Sequence, residues 1–120
     1  MRFGRTRKIK KRGEISRLFK EGRRWECPCF VLIYGQNGLG HDRFGVIVSK
    51  RIGNAVERNR VKRALREIYR CNIKHNPPFF DILIKPRPND SKHYDVNEQR
   101  ENFNKWQETA KKNFPEPSTP

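Results

Sequence analysis

The sequence predicts an α+β fold in which helices pack against a small sheet, in the order α-β-β-α-β-α. Three observations carry this. Two β-rich runs, Cys29 to Tyr34 and Phe44 to Ser49, precede a long amphipathic segment from about Ala55 to Cys71. A third β-rich run, Phe80-Asp81-Ile82-Leu83-Ile84, follows a proline break. A second amphipathic segment then closes the apolar pattern.

Taken in order, Met1 to Lys11 is a basic arm without apolar period, expected to be ordered only against a partner. Ile15, Leu18 and Phe19 form a short helical stripe, with Gly22 as its C′ residue. The glycine-bearing loop Gly35 to Arg43 joins the first two strands, which suggests an antiparallel hairpin. Asn54 caps the next helix, with Glu57 at the capping-box spacing. Val61, Ala64, Leu65 and Ile68 then supply one apolar stripe. Asn76-Pro77-Pro78 ends that helix, because proline lacks the N–H and disfavours helix before it. Pro86 and Pro88 end the third strand. Asp95 and Glu98 repeat the capping spacing before a helix whose inner face is Val96, Phe103, Trp106, Ala110 and Phe114. Pro115 to Pro120 reads as a disordered tail. No internal repeat or linker divides the chain, so residues 1–120 are expected to form a single domain.

The charge is the strongest compositional signal. Lys and Arg number 28 against 13 Asp and Glu, a net charge of +15. Such an imbalance opposes compaction, and nucleic acid is its commonest reason. A membrane surface fits less well, because the basic helix lacks Trp or Phe on its apolar stripe. No stretch is apolar enough to span a bilayer, and the N-terminus lacks a signal-peptide core, so a cytoplasmic protein is expected. Cys27, Cys29, Cys71 and His75 could be drawn as zinc ligands, but Cys-x-Cys in a strand points its thiols to opposite faces. They read instead as small, partly buried thiols in a reducing compartment.

The basic helix concentrates that charge. At about 100° per residue, Arg58, Lys62, Arg66, Asn59, Arg70 and Arg63 fall on one continuous arc. Only Glu67 and Arg60 lie between its far end and the apolar stripe. Arg58, Lys62 and Arg66 are like charges at i, i+4, a local cost that a phosphate backbone would relieve. A solvated face normally mixes signs at that spacing.

The segment Ser49 to Glu67 resembles the signature of the protein subunit of bacterial ribonuclease P. That family is marked by Arg-Asn-Arg, here Arg58-Asn59-Arg60, then Lys62-Arg63 and a further Arg66. The likeness extends to Ile15–Gly22, Phe30–Tyr34, Arg43–Val48 and Asp81–Ile84, covering roughly Arg7 to Lys112. It implies a small α+β fold with a left-handed strand-helix-strand crossover, where general rules favour the opposite hand. It also implies a function: partnering the ribonuclease P RNA to remove the 5′ leader from precursor transfer RNA. The RNA holds the catalytic magnesium ions, and the protein holds no metal or catalytic residue of its own. A small-molecule substrate and a membrane partner are not expected.

The resemblance assigns two RNA surfaces. Lys50, Arg51, Arg58, Asn59, Arg60, Lys62, Arg63 and Arg66 face the catalytic RNA, with Arg60 turned inward as one alternative. Phe19, Phe30 and Tyr34 are candidates for stacking on the single-stranded leader, while core packing is an equal reading for Phe19 and Phe30. Two departures stand out. Ile15 occupies a position where many relatives carry an aromatic residue, and Tyr34 lies one position later than their strand aromatic. One residue reverses the face of a strand. A structural RNA-binding protein of the ribosomal kind would share the charge and the arm, but not this signature. An autonomous nuclease would need clustered carboxylates or a paired histidine, and His41, His75 and His93 lack such spacing.

Overall fold

A computed structural model describes residue 9 and residues 12–74, 78–88 and 96–113. The elements are α1 (Arg12–Glu21), β1 (Arg23–Glu26), β2 (Phe30–Gln36), β3 (Arg43–Val46), a 3₁₀ turn (Lys50–Ile52), α2 (Ala55–Asn72), β4 (Phe80–Pro86) and α3 (Val96–Asn113). The four strands form one mixed sheet in the order β1-β2-β4-β3. The expected Asp95 cap, Phe114, the tail and most of the basic arm lie outside the described residues. Among the described residues no helix is long and apolar enough to cross a membrane.

Two expectations need correction. The strands β2 and β3 do not form a hairpin. β4 lies between them, antiparallel to β2 and parallel to β3, so β3-α2-β4 is a strand-helix-strand unit. The hairpin is instead β1–β2, where Trp25 faces Leu32 across the ladder. β1 is the strand the pattern missed, because three of its four residues are charged and only Trp25 turns inward. β4 runs from Phe80 through Lys85 and ends at Pro86, the expected terminator.

Alternation sorts the sheet into two faces. Phe30, Leu32, Tyr34, Phe44, Phe80, Ile82 and Ile84 pack with α2 and α3 in the main core. From α2 come Val61, Leu65, Ile68 and Tyr69, so the predicted stripe holds. Tyr69 stacks on Phe44 with centroids 4.2 Å apart. Trp106 of α3 is fully buried and meets Tyr34 edge-on at 5.4 Å. The other face is covered by α1, where Leu18 joins Val31, Ile33 and Leu83. Ile9 belongs to this second cluster. It is 8% exposed, and its N–H donates to the Phe44 carbonyl at 3.3 Å, so this residue of the arm is docked along β3.

The caps explain where the helices begin and end. Asn54 Oδ1 accepts the Glu57 N–H at 2.9 Å, the expected cap of α2. Gly22 ends α1 for a reason other than a left-handed φ. A Cβ there would lie 2.9 Å from Ile33 Cγ2, so glycine lets the helix end press onto β2.

One buried ion pair ties α3 to the sheet. Lys111 Nζ donates to both Asp42 oxygens at 3.1 and 3.2 Å and to the Pro78 carbonyl at 2.6 Å. Asp42 Oδ1 also accepts the Phe80 N–H at 2.7 Å. Burial lowers the Lys111 ammonium from its ordinary value, and Asp42 opposes that shift.

Candidate nucleic-acid interface

The docking of α2 by Val61, Leu65, Ile68 and Tyr69 fixes which way its cations point. Asn59, Arg60, Arg63 and Arg66 are exposed, while Arg58 and Lys62 are half-buried at the flanks. None of these five cations forms an ion pair with a described residue. Arg60 is exposed, so the inward alternative is not the one adopted. Arg70 differs: it pairs with Glu67, and that carboxyl is held below its usual range first by the Arg70 hydrogen bond. Lys50 and Arg51, exposed on the 3₁₀ turn just before the cap, extend the cationic face. Arginine suits such a face because its planar fork can engage two phosphate oxygens.

The predicted aromatic set divides. Phe30 is 0% exposed and Tyr34 8% exposed, both on the face packed by α2 and α3. Neither ring can stack on a base without opening the core, which corrects the stacking role expected of them. The one-residue step at Tyr34 does reverse its face, and no bulge rescues it: Arg23 and Ile82 stand opposite it in unbroken register. Phe19 is different. It is 47% exposed, one turn beyond the half-buried Ile15 on the same flank of α1.

That flank overlooks an open strip of sheet. Cross-strand register places Arg24, Ile33, Leu83 and Gly45 in one row on the α1 face. Gly22 sits over Ile33 and Ile9 over Gly45, so this row is covered. The next row is Glu26, Val31 and Lys85, continued by Ile47, whose N–H donates to Ile84 O at 3.0 Å. Glu26 and Lys85 are exposed there. Lys85 continues the alternation of Asp81 and Leu83 on this face of β4, against Ile82 and Ile84 on the other.

On the opposite flank of α1 a cavity of about 370 Å³ is lined by Glu14, Arg17, Glu21, Arg43 and Asp81 among others. Its charges are matched internally. Arg43 donates to Asp81 through Nε at 2.8 Å and Nη2 at 2.7 Å and also pairs with Glu14, while Arg17 pairs with Glu21. Asp81 raises the Arg43 guanidinium from its ordinary value. This braces α1 against the sheet and leaves little net charge for an anion.

The cysteine group does not assemble as drawn for zinc. Cys27 and Cys29 are half-buried against the core, and Cys71 is exposed on α2 beside Glu67. Burial, with Glu98 and Cys27 nearby, pushes the Cys29 thiol up to about 12. His75 lies outside the described residues, and among those described no three His, Cys, Asp or Glu cluster for a metal.

The fold and its surfaces define a small, strongly basic α+β protein, with a cationic helix on one side and a partly open sheet on the other. The comparisons narrow the class. The family model described as Ribonuclease P matches residues 3–111. The ribonuclease P protein component of Thermotoga maritima is 38% identical over 85 residues, 71% of this chain and 73% of that one. The Petrotoga mobilis component is 41% identical over 95 residues, 76% of this chain and 80% of that one. Among solved structures, the Thermotoga maritima ribonuclease P protein superposes with a TM-score of 0.74 at 31% identity, covering 83% of this chain and 94% of that one. The Staphylococcus aureus ribonuclease P protein gives 0.72 at 32% identity, covering 91% and 98%. The chain belongs to the ribonuclease P protein family.

Proposed function

We propose that this chain is the RNA-binding subunit of a cytoplasmic ribonuclease P ribonucleoprotein, assisting removal of the 5′ leader from precursor transfer RNA. The observation that carries this reading is the set of cations Arg58, Arg60, Lys62, Arg63 and Arg66 on the exposed side and flanks of α2, none of them ion-paired among the described residues. These residues, with Asn59, Lys50 and Arg51, seat the protein on the catalytic RNA through phosphate contacts. Magnesium ions held by that RNA supply the hydrolytic chemistry. The protein's contribution is placement: it neutralises phosphate repulsion and holds the leader along the α1 flank. The engagement of Asp81 by Arg43 and of Asp42 by Lys111 supports this division, because neither carboxylate is free for general base work.

The test mixes the protein with a bacterial ribonuclease P RNA and precursor transfer RNA at low magnesium. Cleavage is expected from the mixture, little from the RNA alone and none from the protein alone. Robust cleavage by RNA-free protein, surviving removal of contaminating nucleases, would refute the reading.

Within this reading Phe19 stacks on an unpaired leader base. Because the ring is 47% exposed, Phe19→Ala is expected to cost the fold only about 1 kcal/mol, well short of a core deletion. The holoenzyme should lose affinity for precursor and keep its affinity for mature transfer RNA, which has no leader. Paired binding of both RNAs with melting curves checks this. Equal losses would return Phe19 to a packing role.

A further inference from the structure

The turn between β1 and β2 holds a pair of thiols that the nucleic-acid surfaces do not use. Pro28 and Cys29 connect Cys27 to Phe30, and the Cys27 N–H donates to the Phe30 carbonyl at 3.0 Å to close the hairpin. Cys27 and Cys29 do not point to opposite faces. Both are half-buried, and both pack against the main core. Cys27 Sγ donates to the Phe30 carbonyl at 3.4 Å, and Cys29 Sγ accepts from Asn102 Nδ2 of α3 at 3.6 Å. The Cys29 thiol also hydrogen-bonds Glu98, in the first turn of α3, and Cys27 itself, so the two sulfurs are neighbours. Cys71 stands apart on α2, with its sulfur 3.3 Å from Glu67 Oε1.

We propose that Cys27 and Cys29 form a reversible redox site, closing an intramolecular disulfide by exchange with a small disulfide of the glutathione class. Cys27 attacks one sulfur of that disulfide and expels one thiol. Cys29, already in contact, then attacks the Cys27 sulfur and expels the second. The two protein thiols are oxidised to one disulfide, and the small disulfide is reduced to two thiols that carry off both protons. Burial, with Glu98 and Cys27 nearby, keeps the Cys29 thiol protonated and makes it the second sulfur to react.

The closed form is strained rather than stapled. The bridge spans a single residue, so it removes less chain entropy from the unfolded state than a long loop would. The turn is also held from outside. Arg87 donates through Nε to Cys27 O at 3.0 Å and through its backbone N–H to Cys29 O at 2.9 Å, while Pro28 fixes φ between the two cysteines. Ring closure consumes both S–H donors, and with them the bonds to Phe30 O and Glu98. The oxidised turn therefore holds α3 less firmly than the reduced one. In a reducing compartment such a bridge is transient, which is the behaviour of a redox-sensing pair.

The experiment takes the full chain with the exposed Cys71 replaced, Cys71→Ser, and equilibrates it with mixtures of glutathione and glutathione disulfide. Samples are quenched in acid, alkylated and weighed by mass spectrometry. The expected product has both remaining cysteines closed to alkylation, retains no glutathione, and returns to the dithiol in excess glutathione. Cys29→Ser in the same background should stop at a mixed disulfide on Cys27. Repeating the equilibrium in urea gives the value for the unfolded chain. The bridge should be about tenfold easier to reduce in the folded protein, about 30 mV for a two-electron couple. By linkage, the oxidised protein should melt about 5 °C below the reduced one. Two glutathiones retained per chain, or no modification at all, would overturn the site. A bridge equally or more stable in the folded protein, with an oxidised form that melts at or above the reduced one, would overturn its role as a strained, sensing pair.

Discussion

Asp42→Ala is expected to destabilise the fold by about 3–5 kcal/mol, the scale for stranding one partner of a buried ion pair. In the folded protein the Lys111 and Asp42 side chains are only 5% and 1% exposed. Removing the carboxylate strips the buried ammonium of its Asp42 charge partner and takes the Asp42 acceptor from the Phe80 N–H. The melting temperature should drop by roughly 10–20 °C for a chain of this size. A double variant, Asp42→Asn with Lys111→Met, separates charge from packing. It keeps an acceptor for Phe80 and buries no charge, so it should recover most of the loss. Thermal melts of the three proteins decide the matter. A single variant that melts like wild type would show that water reaches Lys111.

The second large effect concerns binding. Replacing Arg58, Lys62 and Arg66 together by glutamine should weaken association with the RNA subunit about a thousandfold, near 4 kcal/mol. That figure takes each charge-assisted phosphate contact at roughly 1.4 kcal/mol. If the wild-type protein neutralises about six phosphates, log K should fall against log salt with a slope of roughly −4 to −5. The variant should lose about 2 to 3 of that slope. Stability should hold or rise slightly, because the three side chains repel one another at i, i+4 and none has an ion-pair partner among the described residues. Equal affinities, or a slope that does not move, would mean the arc faces solvent.

How much of this was legible in the chain depended on whether the determining interaction was local. α2 was readable to within a residue because its cap, apolar stripe and helical period all lie inside one segment. Sheet order was not. The hairpin expected between β2 and β3 followed a rule about neighbours in sequence, whereas β4 enters between them from 38 residues beyond β3's first position, as the Arg43–Asp81 pairing records. β1 was invisible because a two-sided edge strand with charges at three positions has no alternation to detect. The cationic arc followed from helix geometry alone, while the stacking set required knowing which strand face each ring occupies. Phe30 and Tyr34 share the parity of β2, so once the strand face of one is known the other follows, but which face meets α2 and α3 needed the tertiary structure. No local signal links Asp42 to Lys111, which meet across 69 residues.

The interior position of β4 also governs the order in which the sheet can be completed. β2 and β3 share no ladder, so neither can hold the other in place before β4 arrives. During synthesis the β1–β2 hairpin and the turns of α2 can form from local contacts, but β3 has no strand partner until the chain has been made past Pro86. Closing that gap costs loop entropy before any ladder bond is gained. A chain cut between α2 and β4 keeps the hairpin and loses the means to join β3 to it.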